Sequence, residues 1–408
     1  MMKERRIVIT GIGAITSIGV GKEEFWNNLL AGRTGIADVE LFDTSAYNVH
    51  RGAEVKGFDA QQHVFKQDVR AMGRASHFAI AAARLALQDA SFDLTTINPD
   101  RVGVSIGTTT GEQQEIDRFD DSFVGGEMER EGGGFISRYS CHVISGHVAS
   151  EFSLSGINLM IAGACAAGNY AIAQAFDVVR SRRAEVMLAG GTETFSRVIF
   201  TGFARLGAIA PEVCQPFDRN RKGMIPGEGA AVLVLETVER AMKRGARIYA
   251  EIGGYGLSCD AYHITAPHPE GEGAARAMEK GLAVSGLKTD DVSYISAHGT
   301  GTPVNDRLET VAIKRVFKEG AYTKPVSSIK SMLGHTMGAA SAIEAGACAL
   351  AVYNDRIPPT MNLEEADPEC DLDYVPNKAR ECNVDVAMNN AYGFGGYNSS
   401  LILRKFIA

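Results

Sequence analysis

What the chain lacks narrows the field before any motif is read. Its seven cysteines, at positions 141, 165, 214, 259, 348, 370 and 382, form no Cys-x-x-Cys pair and no even framework. That argues against a disulfide scaffold and suits free thiols in a reducing compartment. No apolar run approaches the ~18 residues that a membrane-spanning helix needs. The basic N-terminus leads into only a brief apolar run, with no small-residue cleavage site after it, so it does not read as a signal peptide. A cytoplasmic protein with no membrane partner is expected. Positive charge is scarce as well: the formal net charge is −8 over 408 residues, so no nucleic-acid partner is expected. No His-x-x-x-His occurs, and a metal site of that type has no support from spacing.

What is present is an ordinary globular composition, 45% hydrophobic and 22% charged. The 45 glycines gather in short loops at the ends of apolar runs, as tight turns beside strands do. Arg6-Ile-Val-Ile-Thr-Gly-Ile-Gly reads as a buried strand and turn; its third glycine is misplaced for a dinucleotide fingerprint. Lys22–Leu30 reads as an amphipathic helix, and a longer helix is expected from about Arg70 to Asp89. The stretch from Asp117 to Tyr139 is polar and glycine-rich, and reads as an insertion or cap.

The pattern then repeats. Ala250-Glu-Ile-Gly-Gly-Tyr-Gly matches the run at Arg6. Asp291-Val-Ser-Tyr-Ile-Ser-Ala-His-Gly-Thr-Gly echoes Asp100-Arg-Val-Gly-Val-Ser-Ile-Gly-Thr-Thr-Thr-Gly. Two copies of one strand–helix unit, joined near residues 235–250, predict a first half at 1–245 and a second at 246–408 in an α/β layered fold.

Leu159-Met-Ile-Ala-Gly-Ala-Cys-Ala-Ala-Gly-Asn-Tyr predicts a strand, a tight elbow and a helix with Cys165 at the turn. A thiol at a helix N-terminus is biased toward the thiolate, although a buried structural cysteine has the same local look. The second half carries His298 and His335 in matching glycine loops. Pseudo-twofold packing of the halves is expected to bring all three side chains to one pocket.

The runs Gly163-Ala-Cys-Ala-Ala-Gly, His298-Gly-Thr-Gly-Thr-Pro, Lys330-Ser-Met-Leu-Gly-His-Thr-Met-Gly-Ala-Ala and Tyr392-Gly-Phe-Gly-Gly-Tyr-Asn resemble the motifs of the elongating β-ketoacyl-acyl-carrier-protein synthases, of the ketosynthase II type and its type II polyketide relatives. The resemblance spans nearly the whole chain, in order. It implies a thiolase-like fold, two pseudo-symmetric halves in a five-layered αβαβα sandwich. It implies an acyltransferase that condenses an acyl thioester on Cys165 with malonyl-acyl-carrier protein. By the same resemblance His298 and His335 stabilise the enolate, Lys330 and Glu344 support them, and Asp306 fixes the His298 loop. The backbone N–H groups of Cys165 and Phe394 match the oxyanion hole, and Phe394 the gate. Thr300 and Thr302 match the pantetheine contacts, and Thr110 falls where the acyl tunnel is lined.

No cofactor or metal is implied, the substrates riding on the phosphopantetheine of an acyl-carrier protein. That acidic partner is expected to dock on Lys66, Arg70, Arg74 and Arg205. A homodimer, or a heterodimer with a chain-length-factor-like subunit, is implied. Two alternatives stand beside this. A thiolase needs a second cysteine in the last glycine loop, which reads Gly393-Phe-Gly-Gly-Tyr. An inactive chain-length-factor-like partner generally lacks the nucleophile that Cys165 supplies. Polar Thr110 suggests a different or more polar acyl chain, and Tyr397 and Asn305, which depart from the usual Thr and Gly, suggest a specialised pathway such as a polyene or polyketide system.

Overall fold

The computed structural model describes residues 5–126 and 134–407. The first half contributes β1 (Ile7–Thr16), β2 (Val102–Thr108), β3 (Asn158–Ala162), β4 (Val186–Glu193) and β5 (Gly229–Thr237). The second contributes β6 (Ala250–Cys259), β7 (Tyr294–Ser296), β8 (Val326–Ser327), β9 (Val386–Gly393) and β10 (Tyr397–Arg404). Their order is β3-β2-β4-β5-β1 followed by β6-β10-β9-β7-β8. Read outward from the centre, each half repeats the same sequence of strands. In both, the outer three are mutually parallel and the inner two antiparallel. The halves meet through β1 and β6, paired only at Ile7↔Ile252, Val8↔Glu251 and Ile9↔Ala250.

Helix α1 (Arg74–Asp89) packs on the outer face of the first half-sheet, and α2 (Ala167–Arg180) on its inner face. Helices α3 (Glu272–Ser285) and α4 (Pro303–Phe317) cover the second half-sheet outside, and α5 (Ala340–Asn354) covers it inside. The layers therefore run α, β, α, β, α, as a thiolase-like fold requires. Strands covered on both faces lose the alternation of a half-exposed sheet; β1, β4 and β5 are buried at every residue. Helix α5 is buried throughout residues 340–352 and is rich in alanine, which suits a helix with neighbours on all sides. Asn389 Nδ2 donates to Asn169 Oδ1 at 3.0 Å and to the Ser341 carbonyl at 2.9 Å, while Asn169 N–H donates to Ser341 Oγ at 3.0 Å. These buried bonds pin α2, α5 and β9 together, which are the elements that frame the site.

Two local expectations change. The helix expected from about Arg70 begins at Arg74, because Asp68 accepts the Arg70 N–H and closes a separate turn at Val69–Ala71. The segment Asp117–Tyr139, expected as an irregular insertion, contains helices at Gln113–Val124 and Phe135–Tyr139. Its apolar spacing at Ile116, Phe119 and Phe123 is helical, and Phe119 stacks on Phe135 at 4.3 Å between centroids. Residues 127–133 of that segment lie outside the described residues. No helix among the described residues is long and apolar enough to cross a membrane.

Candidate active site

Two elbows at equivalent places in the halves build the site. In the first, β3 ends at Ala162, Ala164 turns with φ 49°, and Cys165 precedes α2. In the second, β8 and the helical turn Lys330–Leu333 lead to His335, and Met337 turns with φ 45° before α5. A left-handed φ at a residue other than glycine stores about 1–3 kcal/mol, so both elbows are held by their surroundings. His298 follows β7 directly, in the loop that enters α4.

These loops converge. The ligand atoms of Cys165, His298 and His335 all lie within 4.8 Å of one another, and all three residues are buried. His335 Nε2 is 3.2 Å from Cys165 Sγ, and the two imidazole rings meet edge to face at 5.3 Å. The His335 backbone is pinned on both sides: its N–H donates to the Ile225 carbonyl at 2.6 Å, and its carbonyl accepts from Gly227 N–H at 2.9 Å.

One bond fixes the chemistry of the ring. Met337 N–H donates to His335 Nδ1 at 3.2 Å, so a neutral His335 carries its proton on Nε2, pointing at the sulfur. The spacing in space would suit a metal, although the spacing in sequence does not. The tautomer argues against one, because Nε2 has no lone pair to offer.

Lys330 and Glu344 form a buried ion pair behind the histidines. Burial pushes the Glu344 carboxyl up to about 7, against the pull of Lys330. Burial, helped by the Lys330 charge, holds His298 and His335 well below the ordinary imidazole value. Both rings are therefore neutral at pH 7. Burial also pushes the Cys165 thiol up to about 12, with Lys330 and a backbone N–H pulling it down. Burial therefore opposes the bias toward thiolate expected from the helix end.

Carboxylates hold the loops. Glu309, on α4, accepts His298 N–H at 2.8 Å and Gly299 N–H at 2.7 Å; burial pushes it up to about 8. Asp306 accepts the N–H groups of Phe217 at 2.7 Å and Gly301 at 3.2 Å. Sequence reasoning singled out Asp306 but not Glu309, which lies one helical turn on and on the same face. It also missed Glu193, at the end of β4. Thr300 and Thr302 share a hydroxyl hydrogen bond of 2.9 Å.

A cavity of about 350 Å³ reaches Cys165, His298 and His335, with Thr300, Thr302 and Phe394 among its walls. The Phe394 ring is 39% exposed and 5.7 Å from Phe203, so it stands at the mouth. Gly393 lets the chain before Phe394 lie against the elbow: a Cβ there would be 3.0 Å from the Cys165 nitrogen.

Thr110, expected along the acyl tunnel, is not a wall of this cavity; its hydroxyl donates to Glu193 at 2.7 Å. Lys66 and Arg205 are exposed, as is Arg70, which is paired with exposed Asp68. Arg74 is committed elsewhere. Its guanidinium donates to buried Glu228 at 2.7 and 3.1 Å and to the Val55 carbonyl at 2.9 Å, so it is a structural group rather than a free docking charge.

Comparison with known proteins agrees with this geometry. Residues 4–241 match the model of the β-ketoacyl synthase N-terminal domain, and residues 249–364 that of the C-terminal domain. The chain is 42% identical to 3-oxoacyl-[acyl-carrier-protein] synthase 2 of Synechocystis sp., over 99% of each chain. It superposes on a structure described as the ishigamide ketosynthase/chain length factor with a TM-score of 0.96 and 40% identity, covering 99% of this chain and 100% of that one. It also superposes on a type II polyketide ketosynthase in complex with its acyl-carrier protein, bound to the hexaketide, with a TM-score of 0.92 and 32% identity over 99% and 100% of the two chains.

Proposed function

This chain belongs to the β-ketoacyl synthase family, and we propose that it condenses an acyl group held on Cys165 with malonyl-acyl-carrier protein, giving 3-oxoacyl-acyl-carrier protein in fatty-acid or type II polyketide synthesis. The observation that carries the reading is the His335 Nε2–H aimed at the Cys165 sulfur from 3.2 Å.

The reaction has two stages. Cys165 attacks the thioester of an acyl-carrier protein; the bond to the pantetheine sulfur breaks, and the thiol proton ends on that sulfur. The oxyanion is met by the backbone N–H groups of Cys165 and Phe394. In the second stage the malonyl carboxylate leaves as CO₂. Its electron pair becomes an enolate on the thioester oxygen, and the carbanion carbon attacks the acyl carbon. The Cys165 sulfur departs as thiolate and takes up one proton from solvent, which balances the CO₂ released from the carboxylate. His335 serves as a donor to the enolate rather than as a base, because its Nδ1 is already an acceptor. His298, also neutral, is the second donor. Lys330 and Glu344 hold the field and the packing behind both rings.

Thr300 and Thr302 line the pantetheine arm, and Phe394 gates the cavity. The acidic carrier protein docks on the exposed bases Lys66, Arg70 and Arg205. The chain works as a dimer in the cytoplasm, either with itself or with a chain-length-factor-like subunit. Its substrates arrive covalently carried, so the reaction asks for no further cofactor.

The test separates the stages. Cys165→Ala abolishes the acyl-enzyme seen by intact mass. His335→Ala still acylates but loses condensation by at least ~100-fold, the range for one lost oxyanion-type donor. A stoichiometric acyl-enzyme and elongation in Cys165→Ala would falsify the assignment.

A further inference from the structure

Glu193 closes β4 and is fully buried, and the reaction above gives it no task. Its carboxylate accepts five hydrogen bonds, from loops that belong to different halves of the molecule. Oε1 receives the Thr110 hydroxyl at 2.7 Å, Thr110 N–H at 3.0 Å and the Thr108 hydroxyl at 3.2 Å. Oε2 receives Thr109 N–H at 2.6 Å and Gly338 N–H at 3.0 Å. The last of these crosses from the first half to the second. Burial pushes the Glu193 carboxyl up, and the groups that oppose the push are these donors rather than a cation.

Gly338 is the residue after Met337, whose N–H fixes the tautomer of His335. The two N–H groups are consecutive. One points at the His335 ring and the next at Glu193. The turn between them is strained at Met337, φ 45°, and such a conformation persists only where neighbours over-determine it. It is also pressed against the other half: a Cβ on Gly338 would lie 2.3 Å from the Thr109 nitrogen and 2.4 Å from the Thr108 carbonyl carbon. Contact of that kind leaves the turn no second position while the carboxylate holds both loops.

We propose that Glu193 is a positioning residue for His335: by holding Gly338 N–H it fixes the Met337–Gly338 turn, keeps the His335 proton on Nε2 aimed at Cys165, and locks that turn to the 108–110 loop. The inference rests on the condensing reading of the site. It separates the two stages of the reaction. Acyl transfer to Cys165 is served by the first-half elbow and does not need a fixed His335 tautomer. Condensation does, because a ring protonated on Nδ1 presents a lone pair to the enolate instead of a donor.

The experiment compares wild type with Glu193→Gln, each given acyl-carrier protein and malonyl-carrier protein. Glutamine offers one acceptor oxygen and turns an NH₂ toward an N–H group. Acylation of Cys165 is expected within about 3-fold of wild type. The condensation kcat is expected to fall about 10- to 100-fold, the scale of a displaced catalytic group, with KM for malonyl-carrier protein within about 3-fold. Imidazole ¹⁵N spectra are expected to show His335 shifting from the Nε2–H form to a mixture of tautomers, which a general loss of stability does not produce. Should Glu193→Gln fail to fold, an ester in place of the Met337–Gly338 amide (glycolic acid at position 338) deletes that N–H alone and is expected to give the same split. Equal loss of acylation and condensation, or an unchanged His335 spectrum with wild-type condensation, overturns the proposal. A wild-type protein that acylates but never condenses overturns the functional reading itself, and the wild-type arm shows which of the two has failed.

Discussion

Replacing Glu309 with glutamine removes a carboxylate whose partners are both backbone. It accepts His298 N–H at 2.8 Å and Gly299 N–H at 2.7 Å, and it is 2% exposed. Glutamine keeps one acceptor oxygen, so one N–H must face an NH₂ in a buried site. Stranding that buried donor costs about 1–3 kcal/mol. The catalytic effect is larger than that figure suggests. His298 Nδ1 has no hydrogen-bond partner among the described residues, so the ring is oriented largely through its backbone. A displacement of ~1 Å in such a group costs about 100-fold in rate. Glu309→Gln is therefore expected to lower the denaturation midpoint and to slow condensation by about two orders of magnitude. Acylation of Cys165, in the other half, stays near wild type. Chemical denaturation together with single-turnover acylation and condensation measures all three. Condensation within twofold of wild type, at reduced stability, would show that the His298 loop does not depend on this carboxylate and would refute the reasoning.

Arg74→Ala is expected to destabilise the fold by about 2–4 kcal/mol, because it takes the guanidinium from buried Glu228 and leaves it only the Val55 and Phe195 N–H groups. Carrier-protein affinity, read by titration at low salt, should not fall beyond what unfolding explains, whereas Arg205→Glu should weaken docking without moving the melting temperature. Glu112, buried at the start of α1, accepts Ala75 N–H, Ser76 N–H and the Ser76 hydroxyl, and burial pushes it up to about 7. The folded state then binds its proton more tightly than the unfolded chain, whose carboxyl titrates near ~4.3. Its contribution to stability is full below that value and is lost as pH rises to about 7. Melting temperatures from pH 5 to 8 are expected to show Glu112→Gln gaining on wild type up to about pH 7 and holding level above it; parallel curves sink the idea. Because His298 and His335 are held well below the ordinary imidazole value, condensation should show no acid limb between pH 7 and 6 from their protonation.

The half of the site that sequence made legible is the half that repeats. Cys165, His298 and His335 stood out because each lies in a glycine loop at the end of an apolar run, and because the runs recur in order; pseudo-symmetry then left one place for them to meet. Two of the carboxylates that hold the loops were not legible, for a physical reason. Glu309 and Glu193 act by accepting backbone N–H groups, and a backbone donor has no signature in the residue that carries it. Arg74 is read differently in three dimensions: a basic residue beginning a helix looks free in the sequence, whereas Glu228, far along the chain, is brought beneath it. The thiolate bias is legible because the helix end is a local feature, whereas the burial that opposes it comes from the whole sandwich.

The repeat also explains what the two elbows do differently. Both place a residue other than glycine at a left-handed φ, Ala164 at 49° and Met337 at 45°. In the first half the next residue is Cys165, and the elbow delivers a thiol to the cavity. In the second the next residue is Gly338, and the elbow delivers backbone N–H groups, one to His335 Nδ1 and one to Glu193. One strained turn, duplicated, supplies the nucleophile in one copy and the orientation of the donor facing it in the other. Strain in either elbow is therefore felt in a different stage of the reaction. Substituting glycine for Ala164 relaxes the thiol and should act on acylation; substituting glycine for Met337 relaxes the imidazole and should act on condensation. If both substitutions slowed the same stage, the two turns would be packing features of the fold and nothing more.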